Sequence, residues 1–427
     1  MKVLKVLIKC LSGKSNNQMF KYNLFLYLLT PYLILKVIFN AIRRKSGIIF
    51  ILQRLGLMRP KLKRETIWLH ASSVGETKIA LSLHSKLMLV YPEALFFITT
   101  TTSSSRSLVI ESEKLKHYYL PLDWKITIKR FITLIKPRVC IIIETEIWPN
   151  LINICNNNKI PITIINGRLS KKTLKANKLI KNIYKLVLPK INLIMCKSEL
   201  EKENFINLGE SNLNIVVTGN IKFSQYSTIV NKDNIINKKY ILAISTQPDE
   251  ERQIITEWLK THEKKVLLVV APRHPERLGD ILSDLPLDRI EIAIRSKNER
   301  IRNSTQIYIA DTIGEIESLI AHCEFVFVGG SLVDHGGHNF LEAASYGKTI
   351  IVGPYMYNFI AETEEFLKKN AMIMVKNSDS LKHVFERLLK SRQRKELFGK
   401  NAKKIMESKK DIIDNYCKSI QELIVEK

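Results

Sequence analysis

From residue 65 onward, short and nearly all-apolar runs alternate with longer stretches whose apolar residues recur at helical spacing. The runs fall at 66–69, 95–99, 139–143, 162–165, 193–195 and 215–217, and again at 240–244, 266–270, 290–294, 306–309, 325–328 and 349–352. Helices fit between most of them, over 77–88 and 199–208 for example. Continuous apolar strands alternating with helices predict parallel sheets covered on both faces. Residues 224–239 are polar and rich in Asn and Lys and read as a linker; the tail from about 378 is helical and charged. The reading is therefore α/β, with two doubly wound, Rossmann-like domains facing a cleft. The segments are 1–64, a basic and apolar N-terminal block; 65–224, a first α/β domain; 225–239, a linker; and 240–427, a second α/β domain with its helical tail. A chain of 427 residues exceeds one ordinary core, which agrees with two domains.

The first block has a different pattern. Residues 24–39 are apolar except for Lys36, with Pro31 in the middle, and Arg43, Arg44 and Lys45 follow. The run is shorter than the ~20 residues of a clean spanning helix and lacks a small-residue cleavage pattern. Three readings stand: a single span, an in-plane interfacial helix, or a buried core helix. Net charge sharpens the choice. The chain carries +26, and residues 1–64 hold fourteen Lys or Arg and no Asp or Glu. Lysine-rich composition accounts for many cations but not for 64 residues without an acid. An anionic surface is the expected partner, membrane before nucleic acid, because the basic block is interleaved with aliphatics instead of forming a stacking or arginine-rich surface. Six cysteines without CxxC spacing read as reduced residues, which excludes a disulfide framework or zinc site.

Candidate chemistry clusters after the predicted strands, where open α/β sheets bind ligands. His70-Ala-Ser-Ser-Val-Gly-Glu76 follows the first strand; Glu76 is either a general base or an acid answering the helix dipole. Glu144-Thr-Glu-Ile-Trp-Pro-Asn150 follows a very apolar strand, and in extended backbone Glu144 and Glu146 face one side. Thr218-Gly-Asn-Ile-Lys222-Phe sets a lysine near the linker, placed to reach a phosphate or simply solvated. Ala271-Pro-Arg273-His274-Pro-Glu-Arg277 presents donors suited to a phosphate or a base edge, or a solvated charge cluster. Gly314 and Glu315 follow Asp311-Thr-Ile and precede Ile316, a binding turn or a cap. In the segment 329–354 a glycine-rich loop leads into a helix opening near Asn339 or Phe340, then Leu341 and Glu342. Glycines admit backbone amides to a phosphate, and the carboxylate suits a ribose, as in a nucleotide-sugar site. His335 and His338 lack a third ligand, so no metal is expected.

Taken together, HASSVGE, ETEIWPN, NGRLS (166–170), TGNIKF, APRHPER and GGSLVDHGGHN occur in the order of the 3-deoxy-D-manno-octulosonic acid (Kdo) transferase family, which the chain resembles over nearly its whole length. The resemblance implies a GT-B fold, CMP-Kdo as donor, and a lipid A precursor (lipid IVA) as acceptor at the cytoplasmic face of the inner membrane. It also implies inversion without a cofactor or metal. By the same resemblance Glu76 corresponds to the general base and Glu144 and Lys222 to transition-state positions. Arg273, His274, Gly314, Glu315, Ile316 and Asn339, Phe340, Leu341 and Glu342 correspond to CMP contacts. Two other classes share parts of the pattern: a sugar-nucleotide epimerase or phosphorylase of the same architecture, and a basic nucleic-acid-binding protein.

Overall fold

The computed structural model describes residues 18–425 apart from 61, 63, 210–211, 227–232, 262, 264 and 286–289. The chain forms two compact units: the segment up to Ile221 together with that from Asp411, and Lys222–Lys410.

The first unit opens with helices α1 (Gln18–Leu28), α2 (Thr30–Arg43) and α3 (Gly47–Arg54). The apolar run is thus two helices, bent by 57° at a break around Leu29. Pro31 sits in the first turn of α2, where its missing N–H costs least, and it ends the ladder of α1. No single described helix is long and apolar enough to cross a membrane. Val37, Ala41 and Phe50 pack against Tyr119 and Leu122, so α2 and α3 sit on the body of this unit. Helix α3 also seats Gln53 and Arg54 inside: Tyr119 N–H donates to Gln53 Oε1 at 2.9 Å, and Arg54 donates to the Leu120 carbonyl. The expected boundary at 64/65 therefore cuts through a packed unit.

Its sheet has seven strands in the order β3-β2-β1-β4-β5-β6-β7. These are β1 (Thr66–His70), β2 (Leu95–Thr100), β3 (Leu115–Tyr119), β4 (Pro137–Ile143), β5 (Ile162–Gly167), β6 (Leu193–Cys196) and β7 (Ile215–Val217). All pairings are parallel. Helix α4 (Val74–Val90) follows β1, and α5 (Pro149–Asn157) follows β4 with Pro149 in its first turn. The strand order reverses between β1 and β4, the switch point at which such sheets bind ligands. Core residues such as Ile141, Ile142 and Ile143 are fully buried, as two covered faces require.

The second unit repeats the scheme in the order β10-β11-β9-β8-β12-β13-β14. Its strands are β8 (Tyr240–Thr246), β9 (Leu267–Pro272), β10 (Ile292–Ile294), β11 (Ile307–Ile309), β12 (Val326–Val328), β13 (Ile350–Val352) and β14 (Met372–Met374), all parallel. The order reverses between β8 and β12. Helix α6 (Glu250–Leu259) follows β8, α7 (Ile316–His322) follows β11, and α8 (Leu341–Ser345) lies between β12 and β13. Much of the expected linker, 227–232, lies outside the described residues.

The tail divides differently from expectation. Its last helix, α9 (Ile412–Val425), belongs to the first unit, not the second. Ile413, Tyr416, Ile420 and Ile424 are buried in the core beneath α4, and Tyr416 donates to the Gly219 carbonyl at 2.7 Å. An apolar face repeating every three or four residues must be covered, and this core supplies the cover.

Candidate functional site

In the first unit the acids gather at the switch point. Ser73 caps α4, accepting from the Glu76 N–H at 3.3 Å. The Glu76 carboxylate answers, accepting from the Ser72 N–H and the Ser73 hydroxyl at 2.7 Å each. This is a variant of the capping box, with Glu76 reaching one residue further back than usual. The turn is braced by the hydroxyl run after β2, since Thr101 and Ser105 both donate to the Ser72 carbonyl, at 3.0 and 3.3 Å. Burial first, and the Glu144 charge next, hold the Glu76 carboxyl above the ordinary carboxylate range, against its hydrogen bonds to Ser73 and Ser72.

The expectation that Glu144 and Glu146 share a face rested on extended backbone, which Glu144 does not have. Glu144 has φ of +60°, so the strand ends at Ile143 and the extended-backbone argument fails there. Glu144 is buried and turns to Arg168 of the NGRLS motif, whose Nε donates to it at 2.7 Å. Glu146, like Glu144, lies within the field of Glu76: burial first, then the Glu76 charge, push its carboxyl up to about 7, opposed by the Ser72 hydroxyl and the Arg54 charge. His70 completes the group. It is fully buried, bonded to Thr99 Oγ1 at 2.9 Å, and burial with the Arg54 charge lowers it to about 3, so it stays neutral. Below α5, buried Asp123 accepts from the Asn150 and Leu151 N–H groups at 2.9 and 3.0 Å and from the Tyr22 hydroxyl at 2.9 Å. Asp123 thereby caps the helix that carries the acidic loop and ties α1 to it.

In the second unit, Arg273 and His274 lie exposed just past β9, with the Arg273 N–H on the Thr246 carbonyl at 3.1 Å. Arg277 of the same motif turns inward to Glu251, at 3.1 Å. Gly314 (φ +99°) makes the turn after β11 that precedes α7, whose first residue is Ile316. Glu315 is ion-paired with Arg295, 2.6 Å from its Nη2, which holds its carboxyl below the usual range. Asn339 donates to Tyr226 at 2.9 Å and accepts from the Leu341 N–H at 3.2 Å. Phe340 and Leu341 are fully buried, Phe340 against Phe359 and Phe366, so both shape the turn from beneath. Glu342 is half-buried in the first turn of α8, and burial first, then the Glu342 charge, raises the Tyr226 hydroxyl pKa. Lys222 is half-buried in a short 3-10 turn at the start of this unit.

The glycine-rich loop departs from its expected use. Glu250, fully buried at the start of α6, accepts from the N–H groups of Gly330, Ser331 and Leu332 at 2.5, 2.9 and 2.8 Å, and of Gln247 at 2.9 Å. The amides expected to meet a phosphate are taken by an internal carboxylate. Gly329 is required for a different reason: a Cβ there would lie 2.6 Å from the Ser245 carbonyl oxygen. The expected helix is also shorter than needed for a strong dipole, with only five residues in α8.

Known proteins bear on this geometry. Residues 51–225 match the family described as 3-Deoxy-D-manno-octulosonic-acid transferase (kdotransferase). A 3-deoxy-D-manno-octulosonic acid transferase of Rickettsia bellii is 32% identical over 93% of this chain and 98% of its own length. The chain belongs to the Kdo transferase family. A Haemophilus influenzae Kdo transferase is likewise 32% identical, over 78% of this chain and 81% of its own. The chain is thus a glycosyltransferase of lipopolysaccharide synthesis. A UDP-GlcNAc 2-epimerase from Neisseria meningitidis matches in structure with a TM-score of 0.55, over 84% of this chain and all of that one, at 14% identity. That likeness carries the GT-B-like fold alone.

In this transferase, then, Glu76, Glu144 and Glu146 are brought together in one unit, with Arg54 and His70 beside them. Arg273, His274, Gly314–Ile316 and Asn339–Glu342 lie at strand ends of the other. Residue patterns alone gave no role to Arg54, Asp123, Arg168, Glu250 or Arg295. Arg168 stood inside a quoted motif, and Glu250 follows β8 directly, a position that was signal enough.

Proposed function

We propose that the transferase moves Kdo from CMP-Kdo to a phosphorylated lipid A precursor, lipid IVA, with inversion and with Glu76 as general base. The observation carrying this reading is Glu76 itself, a partly buried carboxylate at the switch point whose proton affinity is raised by burial and by Glu144. As the acceptor hydroxyl oxygen attacks the anomeric carbon, its proton passes to Glu76. The bond from that carbon to the CMP phosphate oxygen breaks, and CMP leaves with the electron pair. Attack opposite the leaving group inverts the centre and needs no covalent sugar–enzyme intermediate. Charge grows on the phosphate; Lys222 and Arg273 are the cations assigned to it, in place of a metal. Asn339 and Glu342 are assigned to the nucleotide, the carboxylate to the ribose.

The same reading places the enzyme on the cytoplasmic face of the inner membrane through α1–α3. Large apolar side chains are exposed along these helices, including Phe20, Leu28, Tyr32, Leu35, Phe39, Ile42 and Ile48. Helices bent and packed as these are favour an in-plane anchor over a span, with the basic residues on anionic headgroups. Incubation with CMP-Kdo and lipid IVA in excess EDTA, followed by mass spectrometry, tests the reaction. A Kdo-sized mass increment with release of CMP is expected. No product, or product only with added divalent metal, refutes the reading.

A further inference from the structure

The loop Gly329–Leu332 has the form of an anion-binding nest: successive amides at a switch point turned toward one centre. The centre is occupied from within. Four backbone N–H groups converge on the Glu250 carboxylate, which is fully buried. Neighbouring glycines are fixed by packing: Gly329 abuts the Ser245 carbonyl, and a Cβ on Gly353 would lie 2.2 Å from the Ser331 carbonyl oxygen. Ser331 ties the loop together, its hydroxyl donating to the Val328 carbonyl at 2.6 Å and accepting from the Gly353 N–H at 2.8 Å.

What hangs on this loop is the next turn. Gly337 N–H donates to the Gly330 carbonyl at 2.7 Å, and His338 N–H to the Gly329 carbonyl at 3.1 Å. The His338 ring meets the Gln247 amide at 2.8 Å, and Gln247 is itself held by Glu250. Both edges of the turn that leads into Asn339 are therefore fastened to residues whose amides Glu250 gathers.

We propose that Glu250 is a positioning residue for the donor site: its carboxylate is a built-in anion that fills the nest, and through Gly330 and Gln247 it sets the turn presenting Asn339 and Glu342. It follows that the donor phosphate does not occupy the Gly330–Leu332 amides. The proposal rests on the reading that Asn339–Glu342 bind CMP.

The experiment uses the full chain with Glu250→Ala and Glu250→Gln. Alanine empties a carboxylate-sized hole lined by amides, which formate can refill. Glutamine keeps the volume but sets an NH2 among N–H donors. CMP binding by calorimetry should weaken about tenfold or more in both, the scale for losing hydrogen bonds to a charged group. Millimolar formate should restore much of the affinity of Glu250→Ala and raise its melting temperature, without doing either for wild type; chloride should not substitute. Wild-type CMP affinity in either folded variant overturns the proposal, as does a loss in Glu250→Ala that formate leaves untouched. If Glu250→Ala does not fold without formate, its formate-dependent refolding and the Glu250→Gln affinity decide. Failure of the donor reading looks different: wild type itself would not bind CMP, and formate-dependent melting of Glu250→Ala would then decide the nest alone.

Discussion

Glu76→Gln separates the two jobs that the structure gives this residue. As a capping group, Glu76 accepts from the Ser72 N–H and the Ser73 hydroxyl, both at 2.7 Å. Glutamine is nearly isosteric: its carbonyl keeps one of these bonds, and its amide can donate to a rotated Ser73 hydroxyl. The cost is that of a weakened cap, ~0.5–1 kcal/mol, or a fall of roughly 1–4 °C in melting temperature. As a base, by contrast, the amide takes no proton. Transfer should slow by ~100- to 10,000-fold, which is about 3–5 kcal/mol of barrier. The assay pairs initial rates of Kdo transfer to detergent-dispersed acceptor with thermal unfolding of the same samples. The wild-type rate should also climb as pH rises through the raised Glu76 pKa, because only the ionised carboxylate accepts the proton. The residual rate of the glutamine variant should lack that limb. A variant that melts several degrees lower yet turns over within tenfold of wild type would leave Glu76 a cap and nothing more.

Three further outcomes are expected. Arg273→Ala and Glu342→Ala should each weaken CMP binding by ~1.5–3 kcal/mol; calorimetry showing both unchanged would move the donor elsewhere. Glu146 has its native pKa raised to about 7, so its contribution to stability is fully present below the ordinary carboxylate pKa and is lost as pH rises through about 7. Between pH 5 and 8 the wild-type melting temperature should therefore fall relative to that of Glu146→Gln, and parallel curves would count against the shift. Finally, a chain beginning at Gly47 should keep the Gln53 and Arg54 contacts and bind CMP, while sedimenting with anionic vesicles far less than the full chain; equal sedimentation would place the anchor on another surface.

How far the fold was legible follows from what each element shows in one dimension. Twelve of the fourteen described strands stand out as near-continuous apolar runs, which burial on both faces forces in most of them, although the edge strand β7 stays exposed. β3 hid because Leu115-Lys-His-Tyr-Tyr carries polar residues whose satisfaction is tertiary: His117 is bonded to Thr100 Oγ1 at 2.9 Å. β14 hid because Met372-Ile-Met is too short to show a period. The face of α9 was visible, but no amphipathic pattern names the core that will cover it. The 24–39 run read as one block, although Pro31 marked the break between α1 and α2.

The site was legible in position and not in function, for a reason common to its acids. Glu76, Glu144, Glu146, Glu250 and Glu315 all stand just past strand ends, where the sequence presents them alike. Their partners come from other strands, tens of residues away, and those partners sort them. Glu250 is saturated by four amides, Glu315 is gripped by Arg295 and Glu144 is paired with Arg168, so each holds a loop in place. Among the described residues no ion pair engages Glu76 or Glu146, and burial raises the proton affinity of both, as it does that of Glu250, whose carboxylate is instead committed to four amides. A carboxylate held by a cation or a nest is a poor base, because its lone pairs are committed. One left near its own kind in a half-buried turn is a better one. Arg54 then sets a limit on that mutual repulsion. It is a buried cation supplied by the N-terminal block, and its charge opposes the rise at Glu146 and adds to the burial that keeps His70 neutral. The segment that reads as a membrane anchor is therefore also part of the electrostatics of the acid cluster. Removing α3 should disturb the pH dependence of transfer even when the acceptor is presented in detergent.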